Sequence, residues 1–156
     1  FKLLIYTWAR KSEKRAITWL DINFSYKYIH IEKNDYHGTV TTPKTKAAIR
    51  YIYLPQHVID DLTEYQSWYK NKNIYKDDYV LFGTFFKSFS ESTIDRWFTT
   101  SLNVLDDNLP DGQTFQRIFI HELRHSHASH LINHGANIMI IAKRLGHADT
   151  TEVMNR

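Results

Sequence analysis

Apolar side chains recur at every third or fourth position along most of the chain, and this spacing predicts a mainly helical protein. A first helix is expected from residue 1 to about residue 18. Further helices are expected to begin at Pro55, at Ser90 or Ser92, after a loop at residues 108–112, and at Asn137. The aromatic residues in their apolar stripes, Trp68 and Trp97 among them, are expected to lie in the core.

A shorter region alternates between apolar and polar positions, as strands do. Residues 28–32, 39–42 and 49–54 are predicted strands, and turn-forming residues at 34–38 separate the first two. Three short strands with tight connections favour an antiparallel meander. The predicted fold class is therefore mainly α with a small three-stranded antiparallel sheet (α+β).

The composition sets limits on the kind of protein. A chain of 156 residues, 42% of them hydrophobic, is sufficient for one domain with its own core. No apolar run approaches the length of a membrane span, so no membrane partner is expected. The absence of cysteine excludes disulfides and suits a reducing compartment, which makes a cytoplasmic location the expectation. A net charge of +3 fits a nucleic-acid partner, but it fits an ordinary solvated surface equally well.

The stretch from Phe119 to His147 carries the densest chemistry. His121, Arg124 and His125 are spaced so that they share one face of a helix. As His-Glu-x-x-His the segment matches a zinc-peptidase motif, in which two imidazoles bind the metal and the glutamate acts as base. As His-x-x-Arg-His it instead presents an arginine between two histidines, which suits a phosphate.

The zinc interpretation lacks a third ligand. Leu131 occupies the position at which the extended zinc motif has its third histidine, and Glu152 is the only candidate for the variant with a downstream glutamate. Arg124 would also place a fixed positive charge beside the dication. No metal and no other cofactor is therefore expected.

Five segments together resemble the tyrosine recombinases, the phage integrase family, over nearly the whole chain. Alone, Arg10 with Glu13 would be an exposed ion pair and Lys44 a solvated charge; the order and spacing of all the segments favour a functional interpretation. The segments are Thr7–Glu13, Leu20–Phe24, Lys44–Lys46 followed by Arg50 and Leu54-Pro55, His121–Ser129, and Leu145–His147.

The chain departs from the family pattern at two places. Trp8 stands where the family usually has glycine. The family's nucleophilic tyrosine should follow His147 by nine or ten residues, yet residue 156 is Arg and no tyrosine follows Tyr79. The resemblance thus implies one catalytic domain over residues 1–156 that is truncated at both ends. The nucleophile is expected just past Arg156, so these 156 residues are expected to form no covalent DNA complex.

The resemblance implies that the domain cuts and rejoins duplex DNA through a 3′-phosphotyrosyl link. Arg10 and Arg124 would hold the non-bridging oxygens of the phosphate, and His147 would add a hydrogen bond. His121 would accept the proton of the tyrosine.

Lys44 would give a proton to the departing 5′-hydroxyl, although Lys46 is an open alternative. Glu13 would support the site from behind. The implied partners are double-stranded DNA and other recombinase protomers. A DNA-binding module without catalysis is the alternative.

Overall fold

The structure, a computed structural model, describes residues 2–114 and 116–147, without the side chains of Leu4 and His127. Six α-helices lie in this part of the chain, and none of them is long and apolar enough to cross a membrane. They are α1 (Lys2–Thr7), α2 (Lys11–Ala16), α3 (Gln56–Asn71), α4 (Glu91–Asp106), α5 (Ile120–Asn133) and α6 (Ile138–Leu145).

Three helices begin at predicted positions. Pro55, Ser90 and Asn137 are the N-cap residues of α3, α4 and α6, while α5, predicted only to follow the loop at residues 108–112, has Phe119 as its N-cap. The Ser90 hydroxyl accepts from the Thr93 amide at 3.1 Å, and the Asn137 side chain accepts from the Met139 amide at 2.8 Å. These bonds satisfy amides that a helix start otherwise leaves unpaired.

The predicted first helix is broken in two. Residue Trp8 has a φ of 50°, so the chain turns between α1 and α2 instead of continuing as one helix to residue 18. Glycine adopts this left-handed conformation most readily, which explains why a glycine is usual at this position in the resembling family. The turn directs the Trp8 carbonyl towards α5.

The strands form three small antiparallel sheets in the described residues. The strands are β1 (Ile22–Asn23), β2 (Tyr28–Ile31), β3 (Asn34–Tyr36), β4 (Thr39–Thr41), β5 (Arg50–Tyr53), β6 (Gly83–Thr84) and β7 (Lys87–Ser88). The three-stranded sheet has the order β1-β2-β5, while β3 pairs with β4 and β6 with β7.

A small three-stranded antiparallel sheet beside helices confirms the predicted α+β class, but one of its predicted members is wrong. Thr39–Thr41 pairs with Asn34–Tyr36 in a separate hairpin, and Ile22–Asn23 takes the third place in the sheet. The reason is burial: Ile29 faces Ile22 and Ile52 across the sheet, and all three are buried, whereas β4 has no buried residue.

Three apolar clusters form the core. The largest joins the sheet to α1 and α3, the second joins α4 to the start of α5, and the third joins α5 to α6. The aliphatic residues of the predicted stripes are buried on α3, α4 and α6 at Val58, Leu62, Ile94, Leu102, Ile141 and Leu145, whereas Leu20 is exposed and Ile138 is half-buried. Trp68 and Trp97 are half-exposed, so their predicted place in the core is wrong.

Candidate active site

A cavity of about 360 Å³ lies where the start of α2, α5, the end of α6 and the β3–β4 hairpin meet. Four of the predicted site residues line it: Arg10, His121, Arg124 and His147. Arg10 lies more than a hundred residues before the other three in the sequence, so the fold is what brings the four together.

The Arg124 guanidinium joins three segments at the base of this cavity. It is buried, and its Nη1 donates to the Trp8 carbonyl at 2.5 Å. Its Nη2 donates to the Leu145 carbonyl at the end of α6 and lies 2.9 Å from Nε2 of His147. The planar guanidinium is thereby held in one orientation, as bidentate recognition of an anion requires.

The Arg124 contact also orients the ring of His147. A guanidinium has only donors, so Nε2 of His147 is the accepting atom of this contact. His147 is positioned by Gly146, which ends α6 with a φ of 70°, and by its own amide, which donates to the Ala142 carbonyl at 3.0 Å.

Glu13 is the buried carboxylate of the site, with an exposed fraction of 1%. It accepts from the Arg10 amide at 2.6 Å and from Arg10 Nη1 at 3.2 Å. It also accepts from Arg50 Nη2 at 2.9 Å and Nη1 at 3.2 Å. Burial raises the pKa of this carboxyl, but Arg50 and then Arg10 outweigh burial and hold the pKa below its usual value.

Arg50 is a supporting residue to which the sequence analysis gave no role. Its Nε donates to the Arg144 carbonyl at 2.8 Å and its Nη1 to the Ala48 carbonyl at 2.8 Å, so it links Glu13 to the last turn of α6. The sequence did contain a signal: Arg50 and Ile52 are two positions apart in a strand and therefore lie on the same face of the sheet. An arginine on the inward face must find buried partners.

Lys14 is a second residue that the sequence analysis missed. Its exposed fraction is 4%, and burial followed by the nearby charge of Arg124 lowers its pKa to about 8. The positive charges of Arg10, Lys14 and Arg50 lie near the buried carboxylate of Glu13, and that of Arg124 lies near Lys14. This concentration of positive charge suits a bound anion.

His121 lies in the first turn of α5, with its ring edge-on to that of His125 at 4.6 Å between centroids. The neighbouring Glu122 accepts from the Phe119 amide at 2.6 Å and thus caps the helix. A zinc peptidase would need this carboxylate as its base, so the zinc interpretation is not favoured. No group of three or more potential metal ligands occurs among the described residues, and Glu152 lies outside them.

The structure does not bring Lys44 into the cavity. Lys44 is exposed in the segment between β4 and a 3-10 turn at Lys46–Ala48, and Lys46 lines a different cavity on the far side of His147. The proton-donor role of Lys44 therefore stays a prediction.

Comparison with known proteins identifies the family to which this chain belongs. The model of the Phage integrase family matches residues 1–156, so the chain belongs to this family. It is 23% identical over 177 residues to a tyrosine recombinase XerC-like protein of Caldanaerobacter subterraneus subsp. tengcongensis, covering 99% of this chain and 43% of that protein. It is 28% identical over 147 residues to a tyrosine recombinase of Thermosipho africanus, covering 94% of this chain and 44% of that protein.

Two solved structures share the fold. The Tn1549 transposon integrase in complex with circular intermediate DNA superposes with a TM-score of 0.73 at 19% identity, covering 98% of this chain and 52% of that one. The XerA recombinase superposes with a TM-score of 0.73 at 20% identity, covering 98% of this chain and 48% of that one. This chain spans less than half the length of each of the two tyrosine recombinases named in the sequence comparison.

Proposed function

We propose that this domain is the catalytic domain of a site-specific DNA recombinase, which cuts and rejoins duplex DNA through a 3′-phosphotyrosyl intermediate. The observation that carries the proposal is the single cavity lined by Arg10, His121, Arg124 and His147. Membership of the Phage integrase family and the fold shared with the Tn1549 integrase support it.

The arginines act on the charge of the phosphate. Attack on a phosphodiester places additional negative charge on its non-bridging oxygens, and two permanently charged guanidiniums stabilise that charge. Arg124 is fixed by backbone carbonyls, while Arg10 keeps 40% of its side chain exposed and is bonded to Glu13. Glu13 also binds Arg50, which donates to the Arg144 carbonyl, and Arg124 donates to the neighbouring Leu145 carbonyl. Both arginines of the clamp are therefore connected to the last turn of α6.

The histidines handle hydrogen bonds and protons. His121 is exposed in the first turn of α5 and is assigned as the acceptor for the proton of the attacking tyrosine. His147 is assigned a hydrogen bond to the phosphate. Lys44 is retained as the proposed proton donor to the leaving 5′-oxygen, which requires the segment after β4 to approach the DNA.

The proposed partners are double-stranded DNA and further protomers assembled on it. We place the activity in the cytoplasm, where such DNA lies. The phosphotyrosyl link conserves the energy of the phosphodiester, so the proposed reaction needs neither ATP nor a metal.

The test is covalent trapping with the full-length protein. A duplex nicked close to the cleavage site loses its short strand after cleavage, so a protein–DNA link accumulates and survives a denaturing gel. We expect this species in the presence of EDTA, attached at a 3′ end. If the protein binds the duplex but forms no covalent species with it, the result would instead support a DNA-binding module without catalysis.

A further inference from the structure

A second cavity, of about 770 Å³, lies between the outer face of β5 and α6. We call this space, lined by Tyr51 and Tyr53 on one side and by Met139, Ile140 and Lys143 on the other, the sheet–α6 groove. His147 lines both the groove and the active-site cavity, so the two spaces adjoin at the end of α6. The proposed reaction uses none of the aromatic or aliphatic residues of the groove.

The sheet presents a continuous aromatic surface to the groove. Tyr28 of β2 faces Tyr53 of β5, and His30 faces Tyr51, so strand alternation places all four rings on the outer face. The rings of His30 and Tyr51 are stacked, with 4.4 Å between centroids and 12° between planes. Tyr28 meets Tyr51 and Tyr53 edge-on at 5.0 and 6.1 Å. Tyr51 and Tyr53 nevertheless remain 58% and 65% exposed, so this aromatic surface is available to a ligand.

The charges along the groove have one sign. Lys46, Arg50, Lys143 and Arg144 line it, and among the residues that the structure describes no aspartate or glutamate does. Arg50 is paired with Glu13, so the uncompensated positive charge comes from the two lysines and Arg144. Such a groove attracts a polyanion.

Exposed aromatic rings in a basic groove are the combination with which proteins bind single-stranded nucleic acid. The cations follow the phosphates, and the rings stack on successive bases whatever their sequence. We propose that the sheet–α6 groove binds a single-stranded segment of the DNA next to the cleaved phosphate, with bases stacked on Tyr51 and Tyr53. This inference rests on the proposed function.

The proposed reaction supplies such a segment. A strand that is cut in one duplex and joined to another must leave its first pairing partner, so the bases beside the cut are unpaired in between. These bases begin at the phosphate in the active-site cavity, and His147 connects that cavity to the groove. Bases that stay paired within a duplex have no free face to offer to Tyr51 and Tyr53, so the occupant is the single strand.

An acidic, apolar segment of a protein is the other occupant that the groove could accept. It would use the same cations, but it would pack against the aliphatic side chains of Ile49, Met139 and Ile140. Leucine in place of the tyrosines would keep the groove apolar for a protein segment, whereas a base would lose its stacking partner. Replacement of tyrosine by leucine therefore separates the two occupants.

The test measures binding of the full-length protein to a fluorescent oligothymidine of about eight nucleotides by fluorescence anisotropy. The double variant Tyr51→Leu, Tyr53→Leu should lose affinity about 100-fold, which is about tenfold for each ring removed. The double variant Tyr51→Phe, Tyr53→Phe keeps both rings and should bind within a few-fold of the parent. Both tyrosines are exposed, so neither pair of replacements disturbs the core.

Two further variants control for composition and charge. Phe86→Leu removes a ring that is 64% exposed at the tip of the β6–β7 hairpin, outside the groove, and should bind as the parent does. Lys143→Gln removes one groove cation and should reduce the salt slope for the single strand by about 0.7. An unchanged slope would show that the strand does not run along α6.

Cross-linking locates the bound strand. An oligonucleotide that carries 5-iodouracil, irradiated in the complex, should attach to Tyr51 or Tyr53, as mass spectrometry of the digested protein can show. Cross-links confined to other residues would overturn the proposal, as would parental affinity in the leucine variant or an equal loss in the phenylalanine variant. Loss of self-association in the leucine variant with unchanged oligothymidine affinity would instead make the groove a protein contact.

The proposed function is tested separately, because binding of the oligonucleotide requires no cleavage. A protein that binds oligothymidine through the two rings but forms no covalent species on the nicked duplex would support the single-strand site and refute the proposed cleavage. A protein that forms the covalent species but does not bind the oligonucleotide would overturn only the single-strand site.

Discussion

The carboxylate of Glu13 and the guanidinium of Arg50 form a doubly hydrogen-bonded ion pair inside the protein, with Nη2–Oε2 and Nη1–Oε1 distances of 2.9 and 3.2 Å. Arg50 extends the pair to the carbonyl of Arg144 in the last turn of α6, and Glu13 extends it to Arg10. The two ends of the phosphate site are thus connected through one buried carboxylate.

Replacement of Glu13 by glutamine should destabilise the fold strongly. It leaves Arg50 buried without its counter-charge, which is expected to lower the free energy of unfolding at pH 7 by about 3 kcal/mol or more. Urea unfolding measures the change. Glu64→Gln, on the exposed face of α3, is the matched control and should change the free energy by less than about 0.5 kcal/mol.

The same pair predicts an acid-sensitive stability. The pKa of Glu13 in the folded state is held below its ordinary value of 4.5, so its contribution is complete above that pH and is lost as the pH falls through the folded-state pKa. Glu13→Gln should therefore lose less stability than the parent on acidification below pH 4.5. Equal acid sensitivity of the two proteins would contradict the ion pair.

Lys14 predicts an effect of the opposite kind. Its pKa is about 8 in the folded state against 10.5 ordinarily, and each unit corresponds to about 1.4 kcal/mol. Lys14→Met should accordingly raise the free energy of unfolding at pH 7 by up to about 3 kcal/mol. The folded parent binds fewer protons than the unfolded chain between these pKa values, so the parent gains stability as the pH rises and the gap should close.

Lys11→Met is the control for Lys14→Met, because Lys11 lies one helical turn before Lys14 on α2 and its ammonium is paired with Asp95 at 2.7 Å. It should lower the free energy of unfolding by at most about 1 kcal/mol. If Lys14→Met destabilises the protein at pH 7 as Lys11→Met does, burial of a charged Lys14 is not a cost.

Gly146 predicts a packing effect at the end of α6. A Cβ there would lie 2.7 Å from Nη1 of Arg50, in addition to the strain of a side chain at a φ of 70°. Gly135 has a φ of 75° with nothing within 4 Å, so Gly135→Ala measures the strain alone, about 1–2 kcal/mol. Gly146→Ala should cost clearly more in thermal or urea unfolding; equal costs would show that Arg50 moves aside freely.

Most helices could be predicted because their starts carry caps and their apolar spacing is regular. The break at Trp8 could not, because no local rule predicts a positive φ at a tryptophan; only the glycine usual in the family pointed to it. The sequence also contained no sign that Thr39–Thr41 lies outside the three-stranded sheet. Asn34 and Asp35 are turn-forming residue types, yet in the structure they belong to a strand that pairs with Thr39–Thr41, and Asp35 is held by the Gly38 amide.

The residues of the site also include some that the sequence predicts and some that it does not. Arg10, His121, Arg124 and His147 lie in motifs whose order and spacing resemble the family, so the sequence predicted them as a group. The structure brings these four residues together in one cavity. The positions of Lys14 and of the β3–β4 hairpin residues Asp35 and His37, which line the cavity, depend on tertiary packing between distant segments, and no spacing in the sequence encodes such contacts.

DNA binding should depend on salt through the residues of the cavity. Each phosphate contact contributes a slope of about 0.9 in the logarithm of affinity against the logarithm of salt concentration. Arg10→Gln should reduce the slope for the 156-residue chain by about 0.9 and weaken binding to all sequences alike. Lys70→Gln, an exposed lysine on α3 outside the cavity, should leave the slope unchanged. An identical loss for the two variants would show that DNA does not dock over the cavity.

The central claim is that Arg124 acts on the charge of the phosphate, and one measurement separates this from its contacts to Trp8, Leu145 and His147. Cleavage rates of the full-length protein and its Arg124→Lys variant are compared on a natural phosphodiester and on a neutral methylphosphonate at the cleavage site. On the diester we expect a loss of about 2 kcal/mol or more in barrier, by analogy with removal of one oxyanion donor. On the methylphosphonate the difference should shrink to a few-fold, because a methyl group replaces one of the two charged non-bridging oxygens that the guanidinium fork would bind. The same large loss on both substrates would contradict the account and make Arg124 a purely structural residue.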